Sequence, residues 1–269
     1  MQIDLDFSFK PIFRYGHGRP AHPALLDIIE RRREVYRAHL VAMLKYQDEF
    51  QRIPREGEER RERWEPFWNN DSFLGLDPLS LYTFVRERRP KLIIEVGAGN
   101  STMFAAAAVR DGGLATRLVS IDSLPPSDVL SLCERVYHYP LEDLDLSVFG
   151  ELEAGDIVFF DGSHRVFTNT DVTVFFLDVL PYLKPGVLAH VHDIYLPFDY
   201  PPYIAKRYFS EQYLLACYLL AGGDRFQVEV PNAFISQDRD LLATLDPLWQ
   251  LPGLEKIAHH GVGFWISAR

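Results

Sequence analysis

The sequence predicts an α/β protein in which a mostly parallel sheet carries helices on both faces. Short apolar runs bounded by turn residues recur along the 269 residues, the form taken by strands buried on both sides. Helical patterns alternate with five of the seven runs, as parallel connections require. One run enters a glycine turn and then a small-residue helix, an arrangement that leaves backbone amides free for a ligand.

The elements follow in order. Residues 23 to 52 carry a long helical pattern whose partial apolar stripe includes Leu25, Ile28, Ile29, Leu40 and Leu44. Arg31, Arg32 and Arg33 sit between Glu30 and Glu34 there, which reads as a solvated helix face. The charged stretch from Pro54 to Arg63 reads as a connector, and Trp64, Phe67, Trp68 and Phe73 need a surface to cover, most simply the core. A helix from Leu79 to Arg88 leads to the first strand, Leu92 to Val96, which carries Glu95. Gly97 and Gly99 make the turn, and Asn100 and Ser101 open the helix that continues from Thr102 to Val109.

The second strand, Arg117 to Ile121, ends in Asp122, where a carboxylate can accept hydrogen bonds from both ribose hydroxyls or can serve only as a turn acid. A third, Arg135 to Tyr139, leads to Glu142 and Asp143. The fourth runs from Asp156 into Asp161-Gly-Ser-His164, and the fifth, Gly186 to Val191, into His192-Asp193. Ligands of open parallel sheets lie outside the carboxyl ends of the strands, so Glu95, Asp161, His164, His192 and Asp193 are expected at one crevice. His190 and His192 alternate at period two and share a face, so one of them can equally be a core histidine bonded to backbone. A loop rich in proline and tyrosine, Ile194 to Tyr203, leaves the fifth strand end in position to cover the crevice. Phe226 to Val230 and Gly261 to Ser267 are the last two strands.

Glu95-Val-Gly97-Ala-Gly99 lacks the third glycine of a dinucleotide fingerprint, having Thr102 at that position. It resembles the first motif of class I S-adenosylmethionine methyltransferases. The resemblance covers roughly Leu76 to the C-terminus and implies a Rossmann-like, seven-stranded fold with an antiparallel last strand, preceded by an N-terminal helical extension. The expected division is an extension over 1–75 and a methyltransferase domain over 76–269. It implies S-adenosylmethionine as cofactor, held by Glu95, Gly97, Gly99, Asn100, Ser101, Asp122, Glu142 near the adenine, and Asp161. Asp161-Gly162-Ser163-His164 further resembles the metal-dependent sugar O-methyltransferases of the macrocin and mycinamicin type, in which the acid lies at the metal and the histidine is the proposed base. His192-Asp193 resembles in position the acidic pair of catechol-type and macrocin-type enzymes, departing from it by placing a histidine first.

The chemistry of the residues agrees with a divalent ion. Two carboxylates with imidazole suit Mg2+ or Mn2+, so Asp161, His192 and Asp193 are the expected ligands and His164 the general base. The expected reaction is methyl transfer to a hydroxyl of a small-molecule acceptor, a sugar or a secondary metabolite. Two other readings compete: a nicotinamide or flavin oxidoreductase, which would also use Asp122, and a noncatalytic cofactor-binding protein. A net charge of −10 without a long basic run argues against nucleic acid as partner. Cys133 and Cys217 form neither a disulfide framework nor a zinc motif. No apolar run approaches 18 residues and none follows Met1, so a cytoplasmic protein without membrane contact is expected, with the aromatic N-terminal segment available for a homo-oligomer.

Overall fold

The computed structural model describes residues 10–221 and 225–269. The first nine residues, where a leader would begin, therefore lie outside the description. Seven strands form one sheet: β1 (Leu92–Val96), β2 (Arg117–Ile121), β3 (Arg135–Tyr137), β4 (Ile157–Phe160), β5 (Leu188–Val191), β6 (Phe226–Pro231) and β7 (Phe264–Ala268). Their order is β3-β2-β1-β4-β5-β7-β6, with β7 antiparallel to both neighbours and all other pairs parallel. The chain order reverses direction between β1 and β4, which opens a crevice at their carboxyl ends.

Each pairing follows from the apolar runs. Ile93, Ile94 and Val96 of β1 pair with Ile157, Val158 and Phe160 of β4, and these side chains are buried. Register fixes which face each residue takes. Ser120, Glu95, Phe159, His190 and Trp265 stand opposite one another across five strands and so share one face. That face is covered by α4 (Leu76–Arg88), whose Phe84 meets Trp265 at 4.7 Å, and by α5 (Asn100–Asp111), which packs beside α4. On the other face Phe160 stacks on Phe175 at 4.2 Å.

The N-terminal pattern forms three helices where one was expected. They are α1 (Pro23–Glu30), α2 (Arg33–Met43) and α3 (Gln47–Arg52). The first break lies at the arginines read as a solvated face. Arg32 leaves the helical region and bonds Val228 O at 2.6 Å and Glu229, while Arg33 pairs with Asp238 and Asp240. Two of the three arginines therefore tie the N-terminal helices to the C-terminal part of the chain. Tyr36, Leu40, Phe50 and Trp68 join the same core as the strands.

Asp156 acts as a staple beneath β1 and β4. It is buried, and its carboxylate accepts from the amides of Lys91 at 2.8 Å, Leu92 at 2.9 Å and Glu153 at 2.9 Å. Asp156→Ala is expected to lower stability by about 2 to 4 kcal/mol, because three amides lose their acceptor. A urea unfolding midpoint equal to that of the wild type would show the staple to be dispensable. Among the described residues no helix is long and apolar enough to cross a membrane.

Candidate functional site

Beyond the end of β1 a cavity of about 450 Å3 opens at the crevice, lined by Gly97, Asp122, Glu142, Asp161, Gly162 and Asp171 among others. Gly97 has φ +85°, and a Cβ there would lie 2.0 Å from the carbonyl oxygen of Asp161. Only glycine lets the first turn pass so close to the end of β4. Gly99 is different. Its backbone is extended at φ 174°, and a Cβ there would meet nothing within 4 Å.

Asp122 holds this turn in place by accepting from Ala98 N at 2.9 Å and Leu124 N at 2.7 Å. Each oxygen keeps a second lone pair, so the turn role and a ligand role are compatible. Glu142 Oε2 is cut off from solvent and has no hydrogen-bond partner among the described residues. A buried carboxylate oxygen of this kind calls for a donor, and an adenine amino group is one. The cavity, the acid at the end of β2 and the unpartnered oxygen of Glu142 together fit a nucleoside-bearing cofactor.

Glu95, Asn100 and Ser101 take other positions. Glu95 is on the α5 face of the sheet, buried, and accepts hydrogen bonds from the hydroxyls of Ser101 and Thr102. Burial pushes it up to about 7 against those two hydroxyls. It is not among the groups lining the cavity, because its parity in β1 matches His190 and not Val96. Asn100 donates to Ser72 Oγ at 2.9 Å, which links the glycine turn to the aromatic N-terminal segment.

Asp161, His164 and Asp193 converge at the ends of β4 and β5. Their ligand atoms lie within 4.8 Å of one another, with His164 Nε2 3.6 Å from Asp161 Oδ1 and 3.6 Å from Asp193 Oδ2. His164 and Asp193 both have positive φ, +67° and +54°. Non-glycine residues rarely adopt this conformation, and such strain gathers at functional sites. His164 Nδ1 lies 3.1 Å from Glu211 Oε1, and its ring stacks on Phe209 at 4.1 Å. Tyr200 donates its hydroxyl to the same Glu211 oxygen at 3.2 Å. With Nδ1 carrying the proton toward Glu211, the lone pair of Nε2 faces the two aspartates.

Burial pushes the His164 imidazole down, but the hydrogen bond and charge of Glu211, with Asp161 and Asp193, outweigh it and the net shift is upward. Burial raises Glu211 to about 7 against its bond to His164. Asp161 is also raised, chiefly by burial, with His192 and His164 opposing.

His192 does not join the group that sequence reasoning gave it. It shares the face of His190, whose Nε2 lies 3.3 Å from His192 Nδ1, and its other bond goes to the backbone of Ser72. His192 is therefore directed to His190 and Ser72 and not to the converging ligand atoms of Asp161, His164 and Asp193. Burial alone would lower His192, yet Asp161, Asp77 and Asp193 carry it to about 9. It lies buried, packed on Phe73, while His164 takes the third place in the cluster.

Glu211 and Phe209 were not singled out from the sequence as parts of the site, and Tyr200 only as one residue of the loop expected to cover it. Glu211 stands in the first turn of the helix Glu211–Leu220, where an acid ordinarily favours the helix dipole. Only its tertiary partner separates the two roles.

Residues 94–194 match the family model described as a methyltransferase domain. No curated protein sequence matches the chain. Among solved structures it is similar to the O-methyltransferase TomG from Streptomyces achromogenes, involved in tomaymycin synthesis and in complex with SAM. That match has 19% identity over 70% of this chain and 77% of the other, with a TM-score of 0.41. The O-methyltransferase from Bacillus cereus in complex with SAH is similar at 15% identity over 86% and 91%, TM-score 0.43. So is the branched-chain polyamine synthase from Thermus thermophilus, in complex with N4-aminopropylspermidine and 5'-methylthioadenosine, at 14% over 81% and 65%, TM-score 0.43.

Proposed function

We propose that this chain is a class I S-adenosylmethionine-dependent methyltransferase that methylates a hydroxyl oxygen of a small-molecule acceptor, with His164 as the base. The observation that carries the reading is the His164–Glu211 pair, set at the strand ends with Nε2 turned to Asp161 and Asp193. The acceptor is a sugar or a secondary metabolite.

The cofactor supplies an electrophilic sulfonium methyl, so the protein's work is to align the acceptor and accept its proton. Gly97 and Asp122 would hold the ribose side and Glu142 the adenine amino group. Glu95 and Ser101 support the turn from beneath, and Gly99 and Asn100 continue it. His164 takes the acceptor proton at Nε2, while Glu211 fixes the tautomer and faces the imidazolium that forms. Asp161 and Asp193 lie on the opposite side of that ring and lower the cost of its charge.

A divalent ion is the second reading, favoured by the converging ligand atoms of Asp161, His164 and Asp193. Mg2+ or Mn2+ suits two carboxylates, and the ion would lower the acceptor hydroxyl's pKa. A single lone pair on Nε2 cannot both hold an ion and accept a proton, so an ion bound beside a working base would rest on Asp161 and Asp193. Chelation is expected to remove methyl transfer while leaving S-adenosylmethionine affinity intact by calorimetry, with restoration by Mg2+ or Mn2+. Full turnover of the metal-stripped protein would instead assign both aspartates to the imidazolium. Failure to bind S-adenosylmethionine would overturn the transfer reading itself.

A further inference from the structure

A second cavity, larger than the crevice, opens elsewhere in the described residues. It is a chamber of about 690 Å3 between the N-terminal segment and the loop that follows β5, walled by Phe13, Tyr15, Leu196, Phe198, Phe209 and Ala216. Its two walls are joined by directed bonds. Asp199 Oδ2 accepts from Arg14 N at 2.6 Å and Tyr15 N at 2.9 Å, and Asp199 N donates to Tyr15 O at 3.1 Å. His22 N donates to Pro197 O at 3.0 Å. The chamber is therefore a built space, and residues 11–15 and His22 are part of its wall.

The polar groups at its edge are already engaged. The Asp199 carboxylate is held by the two amides and by the Tyr213 hydroxyl at 3.4 Å. Arg14 bonds the Tyr15 hydroxyl at 3.2 Å, and His22 Nδ1 accepts from Leu25 N at 3.3 Å. Apart from the exposed Arg14 guanidinium, what the chamber offers a ligand is aromatic and aliphatic surface, the lining of a site for an apolar body.

The chamber adjoins the catalytic pair. Phe209 is at once a chamber wall and the ring on which His164 stacks, and Tyr200, which also lines it, holds Glu211 by its hydroxyl. We propose that this chamber binds the uncharged, ring-bearing body of the methyl acceptor, an inference that rests on the transfer reading above. The acceptor is then a phenol or an alcohol on an apolar ring system and not a free sugar. Phe209 separates the chamber from the imidazole, so its ring must turn aside for the acceptor hydroxyl to reach Nε2.

The test uses the full chain and the uncharged fluorophore N-phenyl-1-naphthylamine. Saturable binding of one probe per chain is expected. Ala205→Trp, which fills the chamber, and Leu220→Glu, which charges its half-exposed rim, should each weaken it by about tenfold or more, with S-adenosylmethionine affinity unchanged. Probe binding equal to wild type in both variants would overturn the chamber as an apolar site. With methyl-labelled cofactor, labelled product is expected from naphthols and not from methyl glucoside, and Ala205→Trp should raise the naphthol KM more than it lowers kcat. Product from the glucoside alone would overturn the acceptor class while the transfer reading stands. Intact probe binding without any cofactor binding would overturn the transfer reading, and the acceptor role with it.

Discussion

His164→Ala is expected to lower turnover by about 10²- to 10⁴-fold, the range for loss of a general base, while cofactor affinity stays at the wild-type value. His164 is not among the residues that line the cofactor cavity, so the two effects separate. Glu211→Gln should keep the imidazole in place and remove the charge opposite it. The base works in its neutral form, and His164 is raised above its ordinary value, so kcat/KM should fall as pH drops through a point above about 6.5. Without the Glu211 charge that limb should move to lower pH. Wild-type turnover in His164→Ala would remove the base, and an unmoved limb in Glu211→Gln would reduce Glu211 to packing.

The second large effect is expected at Gly97. A Cβ 2.0 Å from Asp161 O, on a backbone at φ +85°, forces β1 and β4 apart at their ends. Gly97→Ala should destabilise by about 2 to 6 kcal/mol, from overpacking together with the left-handed backbone, and should weaken cofactor binding as Asp161 shifts. Gly99→Ala is the control, since its Cβ would meet open space on an extended backbone. Thermal unfolding with calorimetric titration reads both, and equal behaviour of the two variants would contradict the geometry. From the sequence alone Gly97 and Gly99 have the same role, making one turn. At Gly97 the contact is with the sheet itself.

That difference marks the limit of what the chain discloses. The strands were legible because a sheet covered on both faces needs continuous apolar runs, and β2 occupies the residues expected of it. The same property hides side-chain direction. When both faces are apolar, hydrophobicity does not say which way Glu95 or His192 points, and both turn out to face the α4 and α5 side. Asp161 and Asp193 were found because they stand just past their strands, where position alone brings them to the crevice. Glu211 was missed because an acid opening a helix needs no partner to be explained. The helical pattern of residues 23 to 52 could not show its interruptions, since the partners of Arg32 and Arg33 lie about 200 residues away in sequence.

Those arginine contacts also set an order of events in synthesis. The bond from Arg32 to Val228 spans 196 residues and that from Arg33 to Asp238 spans 205. A ribosome adding about 5 to 20 residues per second needs about 10 to 40 s to make that length. During that interval α1 and α2 have been made, while the strand and loop that receive them have not. Tyr36, Leu40 and Met43, all at zero exposure in the finished fold, must wait without their final cover. Closure of the chain's two ends on each other is consequently a late step with a large loop to close, and the nascent protein is most exposed to aggregation just before β6 emerges.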